Sequence, residues 1–400
     1  MKSILLSIFF IAISTFSYAQ HRVLDSLAKT HYQKFIYENG NFKGDYLDSL
    51  INKISKHQYV LIGEQHHSNE IPAFVQYLIK KVDYDNYIME GNQSTTDLLR
   101  ATYNHSVKEY KNLLNRFQDR FGFYTFSQDR SILEYFFSKQ KEVIELDQVF
   151  ASSDAPLLDF LYKSTRNEKA KLIYRQLFEK AEQQWKVYSK NPNVQPPFKD
   201  EHLPLLCAAS FKDDIQLLQS LDLSEQEQLI IEDLAKSNDI YRTAFSGEGY
   251  KSHEMRIGLM KNNLLDNLNK IKGHKNLFKF GANHVTKHKS LLQDTPDVGN
   301  LVLNIADSDN EKSLHIALME KKGSVAGLFG EAIETNGLPY LKAFTDIETA
   351  KNEWLIFDLN DLNKKLSTKD FQADHSLKNF MEGYDYLIII PEVTPQIKGN

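Results

Sequence analysis

The chain has 400 residues, of which 42% are apolar, 12% aromatic and 25% charged, with a mean hydropathy of -0.46. That composition supplies the core of an ordinary water-facing globular protein. Lys and Arg number 48 against 53 Asp and Glu, a net charge of -5, and no Lys/Arg-rich run appears, so nucleic acid is excluded as a partner. Only 17 Gly and 10 Pro are present, which excludes collagenous or low-complexity architecture and leaves no linker composition to divide the chain. Residues 20–400 are read as one elaborated domain.

The first residues read as a targeting signal. Lys2 is followed by the apolar run Ile4 to Ile13, and Ser17-Tyr18-Ala19 has the small-x-small form of a cleavage site. A signal peptide over 1–19 predicts an exported protein, periplasmic or extracellular. A retained anchor is the weaker reading, because the run falls short of the ~20 residues a membrane span needs. No Cys follows the cleavage point to take a lipid, and the one cysteine, Cys207, has no partner for an internal disulfide.

Short apolar runs predict strands at Tyr59–Ile62, Tyr87–Met89 and Val143–Leu146, then at Leu277–Phe280 and Leu301–Leu303, and finally at Trp354–Phe357 and Tyr386–Ile390. Between the first two, Ile71, Phe74, Val75, Leu78 and Ile79 form one face of an amphipathic helix. Ile257, Met260, Leu264, Leu268 and Ile271 repeat the pattern before the fourth strand. Strands apolar on both faces, alternating with helices, predict an α/β fold with a mainly parallel sheet flanked by helices.

From Asp147 to Leu277 no strand pattern appears. Helices are predicted over Asp154–Lys163, Glu168–Tyr188, Asp213–Leu221 and Ser224–Lys236, the last opened by a Ser224/Glu227 capping box. A helical insertion at about 151–250, covering the carboxyl ends of the strands, accounts for this stretch. Ser246-Gly247-Glu248-Gly249 is its expected flexible return into the helix carrying Arg256.

Ligands of parallel α/β sheets bind at the carboxyl ends of the strands. The first strand is followed by Gly63-Glu64-Gln65-His66-His67-Ser68-Asn69-Glu70, the second by Glu90-Gly91-Asn92, the third by Asp147-Gln148 and the fourth by Gly281-Ala282-Asn283-His284. Each alone has a bland reading, a loop histidine or a helix N-terminal carboxylate. Four strand ends at one predicted rim, carrying groups suited to proton transfer or metal ligation, point to a site. GxGxxG, GxxxxGK[ST] and a Gly-x-Ser-x-Gly elbow are absent, and Cys207 falls in the insertion, so neither nucleotide binding nor a Ser or Cys nucleophile is expected.

The run Leu61 to Glu70 resembles the opening motif of the erythromycin esterase superfamily, which includes ChaN-like haem-binding lipoproteins and is related to Tiki-type metalloproteases. The gap from Glu64 to His66 matches the ChaN-like version, and that from Glu64 to His67 the esterase version. Tyr87–Glu90, Glu145–Gln148, Arg256 with Met260 and Asn263-Leu264, Phe357–Leu359 and Tyr384–Ile388 down to Thr394-Pro395 are similar, in order, to later segments of the esterases. One departure stands out. Where the esterases carry His-Asn-x-His, this chain has Gly281-Ala282-Asn283-His284, so the first histidine is replaced by Gly281.

The resemblance implies a hydrolase that activates water to cleave an ester, lactone or related carbonyl bond of a small molecule. His66 or His67 is the candidate base, with Glu64 or Glu90 fixing its tautomer and stabilising the imidazolium. His284 and Arg256 would stabilise charge on a carbonyl oxygen, and Asn283 would place His284 or the substrate. Arg256 has a second reading as a buried pair with Asp147 or Glu90. Asp147 is expected to support the site indirectly, and Glu70 to be a solvated dipole partner. No cofactor is required on this reading. Two alternatives stay open. The metalloprotease relatives imply a peptidase with a divalent metal on Glu64, His66, Glu90 and His284. The ChaN-like relatives imply haem or iron binding, with the 20 tyrosines as axial candidates.

Overall fold

The computed structural model describes residues 23–368 and 373–399, so the expected signal peptide at 1–19 lies outside the described residues. Eleven strands occur among them: β1 Gln33–Glu38, β2 Asn41–Lys43, β3 Tyr59–Glu64, β4 Asn86–Met89, β5 Glu142–Glu145, β6 Asn276–Gly281, β7 Ser313–Glu320, β8 Gly323–Ala326, β9 Ala332–Thr335, β10 Glu353–Asp358 and β11 Tyr386–Ile390. The chain divides into two compact units. Among the described residues, one is drawn from 23–84, 277–326 and 332–395, the other from 85–276, 327–331 and 396–399.

The first unit is built on strands in the order β2-β1-β10-β11-β7-β3-β6. β11, β7 and β3 run parallel, while β10, β1 and β2 continue the sheet antiparallel. The antiparallel edge holds an aromatic cluster of Phe35, Phe42, Phe74 and Trp354, with ring centroids 5.2 to 6.1 Å apart. Every residue of β3 is buried, as its unbroken apolar run predicts for a central parallel strand. Helix Glu70–Lys81 follows it and buries the expected stripe of Ile71, Phe74, Val75, Leu78 and Ile79. β8 and β9 form a separate antiparallel hairpin.

In the second unit β4 and β5 pair in parallel, and the insertion supplies helices Asp154–Ser164, Glu168–Tyr188, Phe211–Gln219 and Glu225–Phe245. The Ser224/Glu227 capping box is present. Within this unit the insertion lies over the carboxyl ends of β4 and β5. Ser237 accepts a hydrogen bond from Val149 N, Tyr241 donates to Val149 O, and Asn92 donates to Asp233. Helix Glu225–Phe245 ends at the predicted return, and helix Gly249–Asp266 begins at its last glycine.

The architecture is therefore α/β with a mainly parallel sheet, and two expectations about elements need correction. Leu301–Leu303 is not a strand but lies within helix Val298–Ser308. Asp297 caps that helix, and Val298, Val302, Ile305 and Ala306 bury one helical face, a spacing that a three-residue apolar run does not reveal. β7 escaped the pattern because its apolar run, Ile316-Ala317-Leu318-Met319, is rich in the helix formers Ala, Leu and Met, although the strand is central and buried. The edge strands β1 and β2 and the hairpin are half-exposed, and the longest apolar run among them is Phe35-Ile36-Tyr37 of β1.

Candidate functional site

The first unit holds Glu64, His66, His67, Asn283 and His284, and the second Glu90, Asp147 and Arg256.

In the first unit, Glu64 is the last residue of β3 and is buried. Its Oε1 takes two bonds, one from Lys279 Nζ at 2.6 Å and one with His66 Nδ1 at 2.8 Å. Burial pushes the Glu64 carboxyl up, but the Lys279 ammonium and His66 outweigh it, and the group stays below the usual carboxylate range. Lys279 lies on β6 and is buried beside Glu64. Gly63 is what lets these strand ends meet. A Cβ there would stand 2.6 Å from the Tyr384 hydroxyl and 3.1 Å from Ala282 Cα. Tyr384 donates in turn to the Ala282 carbonyl.

Ala282–His284 form a short turn after β6. His284 is buried there, with Nδ1 2.8 Å from Asp297 Oδ2, while Asp297 Oδ1 accepts the Val298 N–H. One carboxylate thus orients an imidazole and caps a helix. Asn283 lies in the same turn, half-buried.

His66 and His67 diverge, their rings 5.8 Å apart and tilted by 48°. His67 has a φ of 71°, the left-handed region, which costs a non-glycine residue about 1–2 kcal/mol. Its carbonyl accepts the Ala326 N–H at 3.0 Å. Glu70 stands in the first turn of its helix but is not solvated. It is buried and accepts from both the N–H and the hydroxyl of Thr394, because the segment after β11 folds back over that helix start.

In the second unit, Glu90 and Asp147 follow β4 and β5, and helix Gly249–Asp266 brings Arg256 to both. Arg256 donates to Glu90 Oε1 at 2.5 Å and through Nε to both oxygens of Asp147 at 3.0 Å. Burial works against the guanidinium charge, yet Asp147 and Glu90 hold its pKa well above the usual value. This is the buried pair of the second reading, made with both carboxylates. Glu145, the last residue of β5, is wholly buried with only hydroxyl donors, Tyr124 and Thr96, on Oε1. Burial raises its carboxyl to about 7. Gly91 makes room for it, since a Cβ there would lie 2.2 Å from Glu145 Oε2.

Sequence reading passed over Lys279, Asp297 and Glu145. Lys279 had a usable signal, a lone cation inside the apolar run Leu277-Phe278-Lys279-Phe280, which requires a buried carboxylate partner. Asp297 had a weaker one, an N-cap residue before Val298-Gly299.

No protein-family model matches the chain, and no curated protein sequence does either. Solved structures do. An erythromycin esterase mutant in its open conformation aligns over 91% of this chain and 99% of its own, with a TM-score of 0.56 and 13% identity. A Bacillus cereus protein aligns over 95% and 99%, with a TM-score of 0.53 and 15% identity. A succinoglycan biosynthesis protein aligns over the same shares, with a TM-score of 0.50 and 13% identity. The likeness runs through nearly the whole chain at 13 to 15% sequence identity. This chain has the erythromycin esterase-like fold.

Proposed function

We propose that the protein is an exported hydrolase that cleaves an ester, lactone or related carbonyl bond of a small molecule, with His66 as general base. The observation that carries the reading is the His66–Glu64 bond. Glu64 is buried, whereas the His66 side chain is 29% exposed. A buried carboxylate on Nδ1 sets the tautomer, so proton transfer falls to Nε2, and it stabilises the imidazolium that forms. Lys279 keeps Glu64 ionised and therefore able to do this. The same ammonium opposes a divalent cation at Glu64 Oε1, which favours water activation by imidazole over a metal-dependent peptidase. His284, oriented by Asp297, is the candidate for stabilising the developing charge.

Turnover of small esters and lactones by His66→Ala and His67→Ala tests the reading. Loss of a general base costs about 10²–10⁴-fold. That loss is expected for His66→Ala, with thermal unfolding unchanged. Equal, small losses for both variants would overturn it. A Soret band on adding haem, with no ester cleaved by the native protein, would replace it with a haem-binding role. Sequencing the N-terminus of the mature protein tests cleavage after Ala19 and hence export.

A further inference from the structure

His66 is held by more than Glu64, because the residues on either side of it are tied to the hairpin β8–β9. On one side, Gln65 Nε2 donates to Thr335 Oγ1 at 3.4 Å, and Thr335 donates onward to Glu320 Oε1 at 2.7 Å. Glu320 is buried at the end of β7, which gives Thr335 a fixed anchor. On the other side, Ala326 N donates to the carbonyl of His67, the residue in the left-handed region. Thr335 closes β9 and Ala326 closes β8, so the two ties leave opposite strands of one hairpin.

The hairpin is itself pinned. Ser324 N donates to Val393 O, and Val393 N donates to Lys322 O. Gly323, with φ 130°, approaches so closely that a Cβ would lie 2.2 Å from Val393 O. The next residues of that segment hold the far side of the histidine loop. Asn69 N donates to Thr394 O, Asn69 Nδ2 donates to Pro395 O at 2.7 Å, and Ser68 bridges Pro395. One short segment, Val393 to Pro395, therefore anchors both the hairpin and the loop.

We propose that the hairpin β8–β9 is a clamp on both sides of His66, holding the backbone of His67 and the side chain of Gln65, and that Thr335 is a positioning residue for this imidazole. The proposal rests on His66 being the base. The bond to Glu64 sets the tautomer and one edge of the ring, but a ring carried on a loop still swings with its backbone. Holding residues 65 and 67 removes that freedom and keeps Nε2 at a constant distance from the substrate, where a 1 Å error costs about a hundredfold in rate.

Thr335→Val tests this, since it keeps the β-branched shape and replaces the hydroxyl with a methyl group. The expected result is a fall in kcat of about tenfold at unchanged KM, with a lower thermal midpoint because buried Glu320 loses its hydroxyl donor. Thr335→Ser should return kcat to within about twofold. Ser324→Ala, which removes an exposed hydroxyl facing Glu334 on the same hairpin, should leave kcat as it was. The ring 15N shifts of His66 at fixed pH should move in Thr335→Val and return in Thr335→Ser. Native kcat in Thr335→Val, a loss that Ser does not rescue, or unmoved ring shifts would each overturn the clamp. If the native protein cleaves no ester, the hydrolase reading fails, and the ring shifts still decide the clamp.

Discussion

Glu64 in the first unit and Glu145 in the second are both buried carboxyls, each the last residue of a strand, yet their surroundings drive them in opposite directions. Glu64 faces an ammonium and an imidazole, which together overcome the cost of burying its charge. Glu145 faces two neutral hydroxyls and the backbone of Gly91, so burial wins and its carboxyl rises to about 7. The lesson is that burial alone does not mark a site. A buried carboxylate next to a group that changes protonation can take part in proton transfer, whereas one among neutral donors is a packing element that prefers to be uncharged. Arg256 with Glu90 and Asp147 is a third case, in which the partner is a permanent cation that stabilises charge but exchanges no proton.

The largest expected effect separates the two carboxyls by turnover. Glu64→Gln should lower ester cleavage by about 10²–10⁴-fold, through loss of the His66 tautomer and of imidazolium stabilisation. Glu145→Gln should stay within about twofold of native, since an amide oxygen still accepts from Tyr124 and Thr96. Steady-state kinetics on one ester checks both, and comparable losses would break the distinction.

Next in size is Arg256→Met. It leaves Glu90 and Asp147 buried without their cation, and breaking a buried pair costs about 3–5 kcal/mol. Denaturant unfolding at neutral pH reads it. A change under about 1 kcal/mol would mean that the guanidinium is not the partner that lets these carboxylates stay charged.

The pH dependence of stability follows the same contrast. Glu145 binds a proton more tightly folded than unfolded, so it favours the fold at low pH. That contribution is lost as pH rises from 4.5 to about 7, by on the order of 3 kcal/mol. Glu64, held below its ordinary value, stabilises above pH 4.5 and loses that contribution as the solution is acidified further. Urea unfolding across pH 3 to 8 should therefore show Glu145→Gln flattening the decline from 4.5 to 7, and Glu64→Gln flattening only the acid limb. The smallest effect belongs to Gly91→Ala, whose Cβ would overlap Glu145 Oε2. Overpacking of this kind costs about 1–3 kcal/mol, seen as a lower thermal midpoint, and Glu145→Ala in the same chain should relieve it.

Much of the fold was legible in the chain itself. β3, β4, β5, β6, β10 and β11 announce themselves because strands buried on both faces are apolar along most of their length. The capping box at Ser224 and the stripe from Ile71 to Ile79 are equally local signals. β7 was hidden because Ile316-Ala317-Leu318-Met319 reads as helix as readily as strand, while His315 beside it has its pKa lowered by burial to about 4 and bonds the Val285 carbonyl, a partner 30 residues away.

The sequence by itself determined which residues follow the strands, since chain order and the unbroken apolar runs place Glu64, Glu90, Asp147 and His284 there without reference to anything else. Only the tertiary structure decided their partners: Lys279 for Glu64, Asp297 for His284, Arg256 for Glu90 and Asp147, Thr394 for Glu70, and the hairpin for the residues flanking His66. Those partners are 13 to 324 residues away in the chain. Hydrogen bonds and ion pairs are short-ranged and directional, so strand register and close approaches such as that at Gly63 choose among the many charged residues that spacing alone leaves equivalent.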